Sequence, residues 1–177
     1  MASKQGTTAR LKTVGIYPLT VNYSLSVEDA VKLGQYHGTN RRINSKTFRS
    51  LRRGAADIVM EVTEMVVQLP EPVTCITTEE VLSEFYLRGS RPAELRELLA
   101  FHRKYPDIQI EADMVTVVAL GSFYYSKKKQ PYAPCLRWFS GGRRSLDLEI
   151  HRDEWCSLYL PPPIAELTVY CVAAVRK

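Results

Sequence analysis

Hydrophobic residues follow two rhythms along this chain, one at every second position and one at every third or fourth. Val14, Ile16, Leu19, Val21 and Tyr23 alternate on either side of Pro18. That pattern predicts an edge strand broken by the proline, which has no N–H to give to a ladder. Ser26 then begins a short helix. Asp29 stands at its third position, Ala30, Val31 and Leu33 form an apolar stripe, and Gly34 stops it. Residues Gln35 to Gly54 lack apolar periodicity and predict an irregular connection. Ile58, Met60, Val62, Glu64 and Val66 resume a two-residue rhythm, giving a strand over Asp57 to Leu69. Met65, Val67 and Leu69 occupy its other face, and Pro70 and Pro72 end it.

The helical rhythm returns after Thr77. Thr77 and Glu80 form a capping box, in which the hydroxyl accepts from the Glu80 amide and the carboxylate reaches back. Val81, Leu82, Phe85 and Tyr86 make the buried stripe of that helix, and Gly89 closes it. Ser90 opens a second helix with Pro92 in the first turn, where a missing N–H does no harm. Leu95, Leu98, Leu99 and His102 line its apolar face, and Tyr105-Pro106 ends it. The final third reads as strands over Val115 to Tyr125, Ala133 to Phe139, Ser145 to Ile150 and Leu167 to Val175. Turns fall at Lys127 to Pro131, Gly141-Gly142 and Pro161 to Pro163. The pattern predicts an α+β fold, mostly antiparallel sheet with two to three short helices. Residues 1–74 form a basic arm and a strand–helix–strand region. They pack on an α+β region over 75–177, as one compact unit.

Composition narrows the class. Apolar residues are 45% of the 177 and charged residues 24%, enough for a core and too apolar for a disordered chain. No apolar run approaches the roughly 20 residues that span a bilayer. Met1 to Lys12 lacks the apolar segment of a secretory signal, so the expected location is the cytoplasm, with no membrane partner. The four cysteines (Cys75, Cys135, Cys156 and Cys171) form no C-x-x-C pair, and reduced structural thiols are the expectation. The net charge of +5 is uneven. Residues 1–54 carry +8 and the remainder −3.

Thr77 to Phe101 reads TTEEVLSEFYLRGSRPAELRELLAF: a capped helix, a glycine, Arg-Pro, and a second helix with paired leucines. This layout resembles the two-helix segment of C-type lectin-like domains of the formylglycine-generating-enzyme kind. Val169 to Arg176 is similar to their closing strand, and Val118 to Ser122 to their middle strand. The resemblance covers about residues 75–177. It implies a lectin-like fold with Trp138 and Trp155 in its loop-rich region. The calcium ligands and the reactive cysteine pair of such domains have no counterpart here, so the resemblance implies no metal, cofactor or oxidase chemistry. Tyr17-x-x-x-Val21-x-Tyr23, "RPAELRELLAF", "VALGS" and the final "AVRK" also resemble an uncharacterised group of bacterial and phage proteins.

Candidate chemistry is sparse. There is no P-loop, dinucleotide fingerprint or G-x-S-x-G elbow, and Ser122 after Gly121 reads as a tight strand position. The histidines His37, His102 and His151 are scattered. His102 reads as a satisfied, semi-buried helix residue, His37 and His151 as candidates for an unrecognised catalytic site. The first expectation is a non-enzymatic binding module. It presents Tyr132, Trp138, Phe139, Arg143, Arg144 and Trp155 to a macromolecular partner, a protein by preference, because aromatics and arginine dominate binding hot spots. The alternative is a nucleic-acid-associated protein. Arg41, Arg42, Lys46, Arg49, Arg52 and Arg53 put six cations in thirteen residues, with Tyr36 and Phe48 beside them to stack on bases. A basic surface that contacts the acidic remainder of the chain is the internal reading of the same run.

Overall fold

Two groups of strands meet at a strand drawn from the far end of the chain. A computed structural model describes residues 10–66, 73–107, 114–151, 154–158 and 168–176. In chain order the elements are β1 (Arg10–Asn22), α1 (Val27–Gly34), β2 (Gly38–Thr39), β3 (Ala55–Val66), β4 (Val73–Thr77), α2 (Thr78–Leu87) and β5 (Ser90–Pro92). Then come α3 (Leu95–Lys104), β6 (Met114–Val118), β7 (Tyr124–Tyr125), β8 (Pro131–Phe139), β9 (Arg144–Ile150), β10 (Glu154–Leu158) and β11 (Thr168–Arg176). The main sheet runs β1-β3-β11-β6-β8-β9-β2, with β5 on β11 and β7 on β8. Its pairs are antiparallel except β11 with β6 and β2 with β9. β10 and β4 form a separate antiparallel pair. The fold is thus α+β with three short helices and a mixed, mostly antiparallel sheet.

Both faces of the sheet are covered, because both parities of its central strands are apolar. On one face Val21, Met60, Val62, Val117, Leu136, Ala173 and Val175 pack under α3 (Leu95, Leu98, Leu99, Phe101) and under Val27 at the start of α1. On the other, Met65, Val118, Cys135, Val172 and Ala174 meet Val81 and Phe85 of α2 and Ile76 of β4. Each of the Val, Leu, Ile, Phe and Met side chains taken fully out of water contributes about 1.5–3 kcal/mol. β3 and β11 exchange ladder bonds in register from Cys171↔Glu64 to Val175↔Met60, which ties the first third of the chain to the last.

Several elements differ from the sequence reading. Pro18 does not break β1, which pairs with β3 straight through it. β1 ends the sheet, so the prolyl nitrogen costs no ladder bond, and the Pro18 carbonyl accepts from Lys104 Nζ and Tyr105 Oη, both at 2.8 Å. Ser90 does not open a helix. Ser90–Pro92 is strand β5 on β11, and α3 starts only at Leu95. Val115 to Tyr125 is two strands, parted at Gly121. The expected stripe of α2 is split: Val81 and Phe85 are buried, whereas Leu82 is 37% and Tyr86 75% exposed. The capping boxes and caps at Thr77 and Ser26 are present as the sequence requires. The start of the N-terminal arm, residues 67–72, the proline turn at 161–163 and residues 152–153 lie outside the described residues.

Candidate functional site

The connection from Gln35 to Gly54 carries six cations and is held at several points along its length. Gln35 ends α1 in the left-handed region, and Tyr36 folds inward to stack on His102 at 4.6 Å between ring centroids. The amide of His37 donates to Arg144 O at 2.9 Å, and its Nδ1 accepts from the Arg144 amide at 3.2 Å. β2 continues this pairing along β9. Asn40 then donates from its amide to Leu146 O and from Nδ2 to Asp147 Oδ1. Its Oδ1 accepts from the Arg42 amide, a side-chain mimic of a backbone turn. Asn44 repeats the device three residues before Thr47. Ser45 donates to both carboxylate oxygens of Glu28. Ile43 and Phe48, 5% and 6% exposed, are buried in the α1–α3 core.

These anchors fix where the charges go. Arg41, Arg42, Lys46, Arg49, Arg52 and Arg53 are all exposed. Of the six, Arg52 is paired with carboxylates, Nε lying 3.4 Å from Glu94 Oε1 and Nη1 3.7 Å from Glu97 Oε1, and it also covers the Tyr23 ring. Arg42 covers the ring of Tyr124 at 5.4 Å. Among the described residues, Arg41, Arg42, Lys46, Arg49 and Arg53 have no ion-pair partner. The described part of the acidic remainder therefore does not consume this charge. Lys127, Lys128 and Lys129, in the turn after Tyr124–Tyr125, are exposed as well. Tyr36 and Phe48, the expected stacking residues, are committed to the interior and cannot meet a base. Tyr125, 63% exposed, presents its ring instead.

Glu97 is the buried keystone beneath this face. It is 0% exposed and takes Tyr23 Oη, Arg91 Nη1 and Nη2, and the Glu94 amide. Burial pushes its carboxyl up, but the Arg91 hydrogen bonds, with those of Glu94 and Tyr23, outweigh it and hold the group below the usual carboxylate range.

The other six expected residues are dispersed. Trp138 is in the core, 8% exposed, its indole donating to Pro106 O at 2.7 Å. Phe139 and Arg143 meet at the β8–β9 turn, the guanidinium 5.4 Å from the ring centroid. Arg144 is half-buried, with Nη1 on Pro106 O. Tyr132 lies near the opposite end of β8, beside Tyr124. The backbone of Trp155 is in β10, opposite Ile76.

The remaining candidates fall into structural roles. Ser122 Oγ accepts from the Leu95 amide at 3.0 Å and so caps α3 from another part of the chain. His102, expected to be semi-buried and satisfied, is instead 1% exposed, with both ring nitrogens unpartnered among the described residues, because its ring is enclosed by Tyr36 and Trp138. His151 packs edge-on to Phe123. Cys135 and Cys171 are free and buried, and burial pushes each thiol up to about 12. No cluster of three or more metal-ligating side chains occurs among the described residues. No described helix is long and apolar enough to cross a membrane. The sequence reading missed Lys127 to Lys129, whose signal was a plain run of three lysines beside paired tyrosines. Comparison with protein-family models, with curated proteins and with solved structures finds no match.

Proposed function

We propose that this protein associates with nucleic acid through the basic connection 41–53, tracking phosphates without reading sequence. The observation that carries this reading is the set of five exposed cations, unpaired among the described residues, on a connection fixed by buried Ile43 and Phe48. Long cationic side chains kept in water and out of ion pairs remain free to displace counterions from a polyanion. The exposed Tyr125 and the lysines of the next turn extend the same chemistry with a stacking platform and further charge.

The test is affinity for single-stranded DNA and RNA over a salt series. It compares the wild type with a variant carrying Arg41→Ser, Arg42→Ser, Lys46→Ser, Arg49→Ser and Arg53→Ser. Arg52 is retained because it neutralises Glu94 and Glu97. The log–log salt slope is expected to fall by about one unit for each phosphate that the variant no longer neutralises. Absence of binding at low salt, or an unchanged slope in the variant, would overturn the reading.

A protein partner is the second reading, with residues 75–177 as a lectin-like scaffold. Its support is local: the exposed Arg143 over Phe139 at the β8–β9 turn is a surface arginine–aromatic pair of the kind that anchors interfaces.

A further inference from the structure

The basic connection forms one wall of a hollow of about 410 Å³. Thr47 to Arg52 face it from one side, Glu94 to Arg96 at the start of α3 from another, and Gly121 to Phe123 from a third. Three arginines and one carboxylate line it. The carboxylate, Glu94, has Arg52 as its partner, and neither Arg49 nor Arg96 forms an ion pair among the described residues, so the lining carries a net positive charge.

Arg96 is the anomalous group. Its Nε and Nη1 are sealed from solvent, and neither has a hydrogen-bond acceptor among the described residues. A guanidinium with shielded, unpaired donors is costly, and proteins almost always give such a group a partner. Burial lowers its pKa; Glu28 and, less strongly, Glu94 pull against that shift, and Arg53 reinforces it. These donors lack an acceptor, and an anion in the hollow would supply one once the guanidinium turns toward it. Ser122 adds a hydroxyl whose oxygen accepts from Leu95, leaving its proton to donate, and Phe123 supplies an apolar side. The positive end of the α3 dipole acts in the same direction.

We infer that this hollow holds a phosphate group between Arg49 and Arg96. The inference deepens the nucleic-acid reading and rests on it for the source of the phosphate, which is a backbone phosphodiester rather than a free anion. A fixed point of this kind would set where a bound strand lies on the basic connection, while Arg41, Arg42, Lys46 and Arg53 supply diffuse attraction.

Titration calorimetry with inorganic phosphate, at ionic strength held constant with chloride, tests the site. One site per chain is expected in the wild type. Arg49→Gln and Arg96→Gln should each weaken it by about tenfold or more, the loss of a charge-assisted hydrogen bond. Lys12→Gln, an exposed lysine on β1 that does not line the hollow, should bind as the wild type does. Melting by circular dichroism checks that each variant is folded, and Arg49, on the exposed connection, keeps the test open if Arg96→Gln does not fold. Phosphate bound equally by the wild type and both glutamine variants, or no phosphate binding above chloride, overturns the site. A second arm identifies the source. Displacement of a short single-stranded oligonucleotide by inorganic phosphate supports the backbone phosphodiester; phosphate binding that leaves the oligonucleotide in place overturns that assignment. Oligonucleotide binding with a normal salt slope, but with no phosphate site, removes the hollow and leaves the interface standing.

Discussion

His102 stays neutral in the folded chain down to about pH 4 because its surroundings neither solvate the charged ring nor accept from its N–H groups. Its ring lies against Tyr36 and Trp138, neither nitrogen has a partner among the described residues, and 1% of the residue is exposed. Burial first, then the nearby Arg144 charge, push its pKa down to about 4, with Asp107 pulling the other way. The unfolded chain protonates the same residue near the ordinary value of about 6.5. Between those two values the unfolded state takes up a proton that the fold refuses, so stability falls as the pH drops through that window. From pH 6.5 to pH 5 the loss attributable to His102 is about 1.5 kcal/mol. Urea unfolding at several pH values checks this against His102→Phe, which keeps a ring and removes the titration. A wild-type-to-variant difference that does not change with pH would sink the assignment. The burial of His102 was legible from its spacing after Leu95, Leu98 and Leu99. Its partners were not, since Tyr36 and Trp138 come from distant stretches that only the fold brings together.

At the scale of elements, β5 and Gly121 show tertiary pairing overriding local signals. Ser90-Arg91-Pro92 has the composition of a helix start, yet Ala174 to Arg176 of β11 claims it as a strand. Ala93 then donates to Ala173 O, and the Gly121 amide donates to Ala93 O at 2.8 Å. A Cβ at Gly121 would stand 2.7 Å from Ala93 O and 2.8 Å from Pro92 O, both backbone atoms that cannot swing aside. Gly121→Ala is therefore expected to cost about 1–3 kcal/mol, the range for an overpacked site, read as a lowered urea midpoint with an unchanged slope. A variant as stable as the wild type would show that the β5–α3 junction can yield. The long strands β3, β8 and β9 were legible because each repeats its rhythm over several residues. β4 and β10 were not: each is five residues, and their pairing joins Val73–Thr77 to Glu154–Leu158 across most of the domain. The same limit hid the hollow, since the positions of Arg49, Arg96 and Ser122 converge only after α3 docks.

For the molecule as a whole, β11 occupies the middle of the main sheet although it follows every other described strand in sequence. The β1–β3 pair and the β6–β8–β9 group can each form locally, but β11 joins them, antiparallel to one and parallel to the other. Removing residues 168–177 would leave β3 and β6 with unpaired inner edges. That truncated chain is expected to lose cooperative unfolding and to associate, as read by denaturant titration and gel filtration. A monomeric truncation with a sharp transition would mean that the two groups are independently stable. Folding by long-range pairing of this kind is slow, because the loop between β3 and β11 must close before the pairing repays it. Charge is likewise organised across the whole molecule, with the basic connection kept off the described acids except at Arg52. The outer border of the sheet has a consequence for crowded conditions. β1 carries a bulge between Thr13 and Gly15, an exposed Lys12, and a proline whose carbonyl is already taken by Lys104 and Tyr105. A border interrupted in this way offers no straight row of donors and acceptors to a second copy. At high concentration the chain is thereby protected from zipping into fibrils along that side, and its encounters are left to side chains and loops.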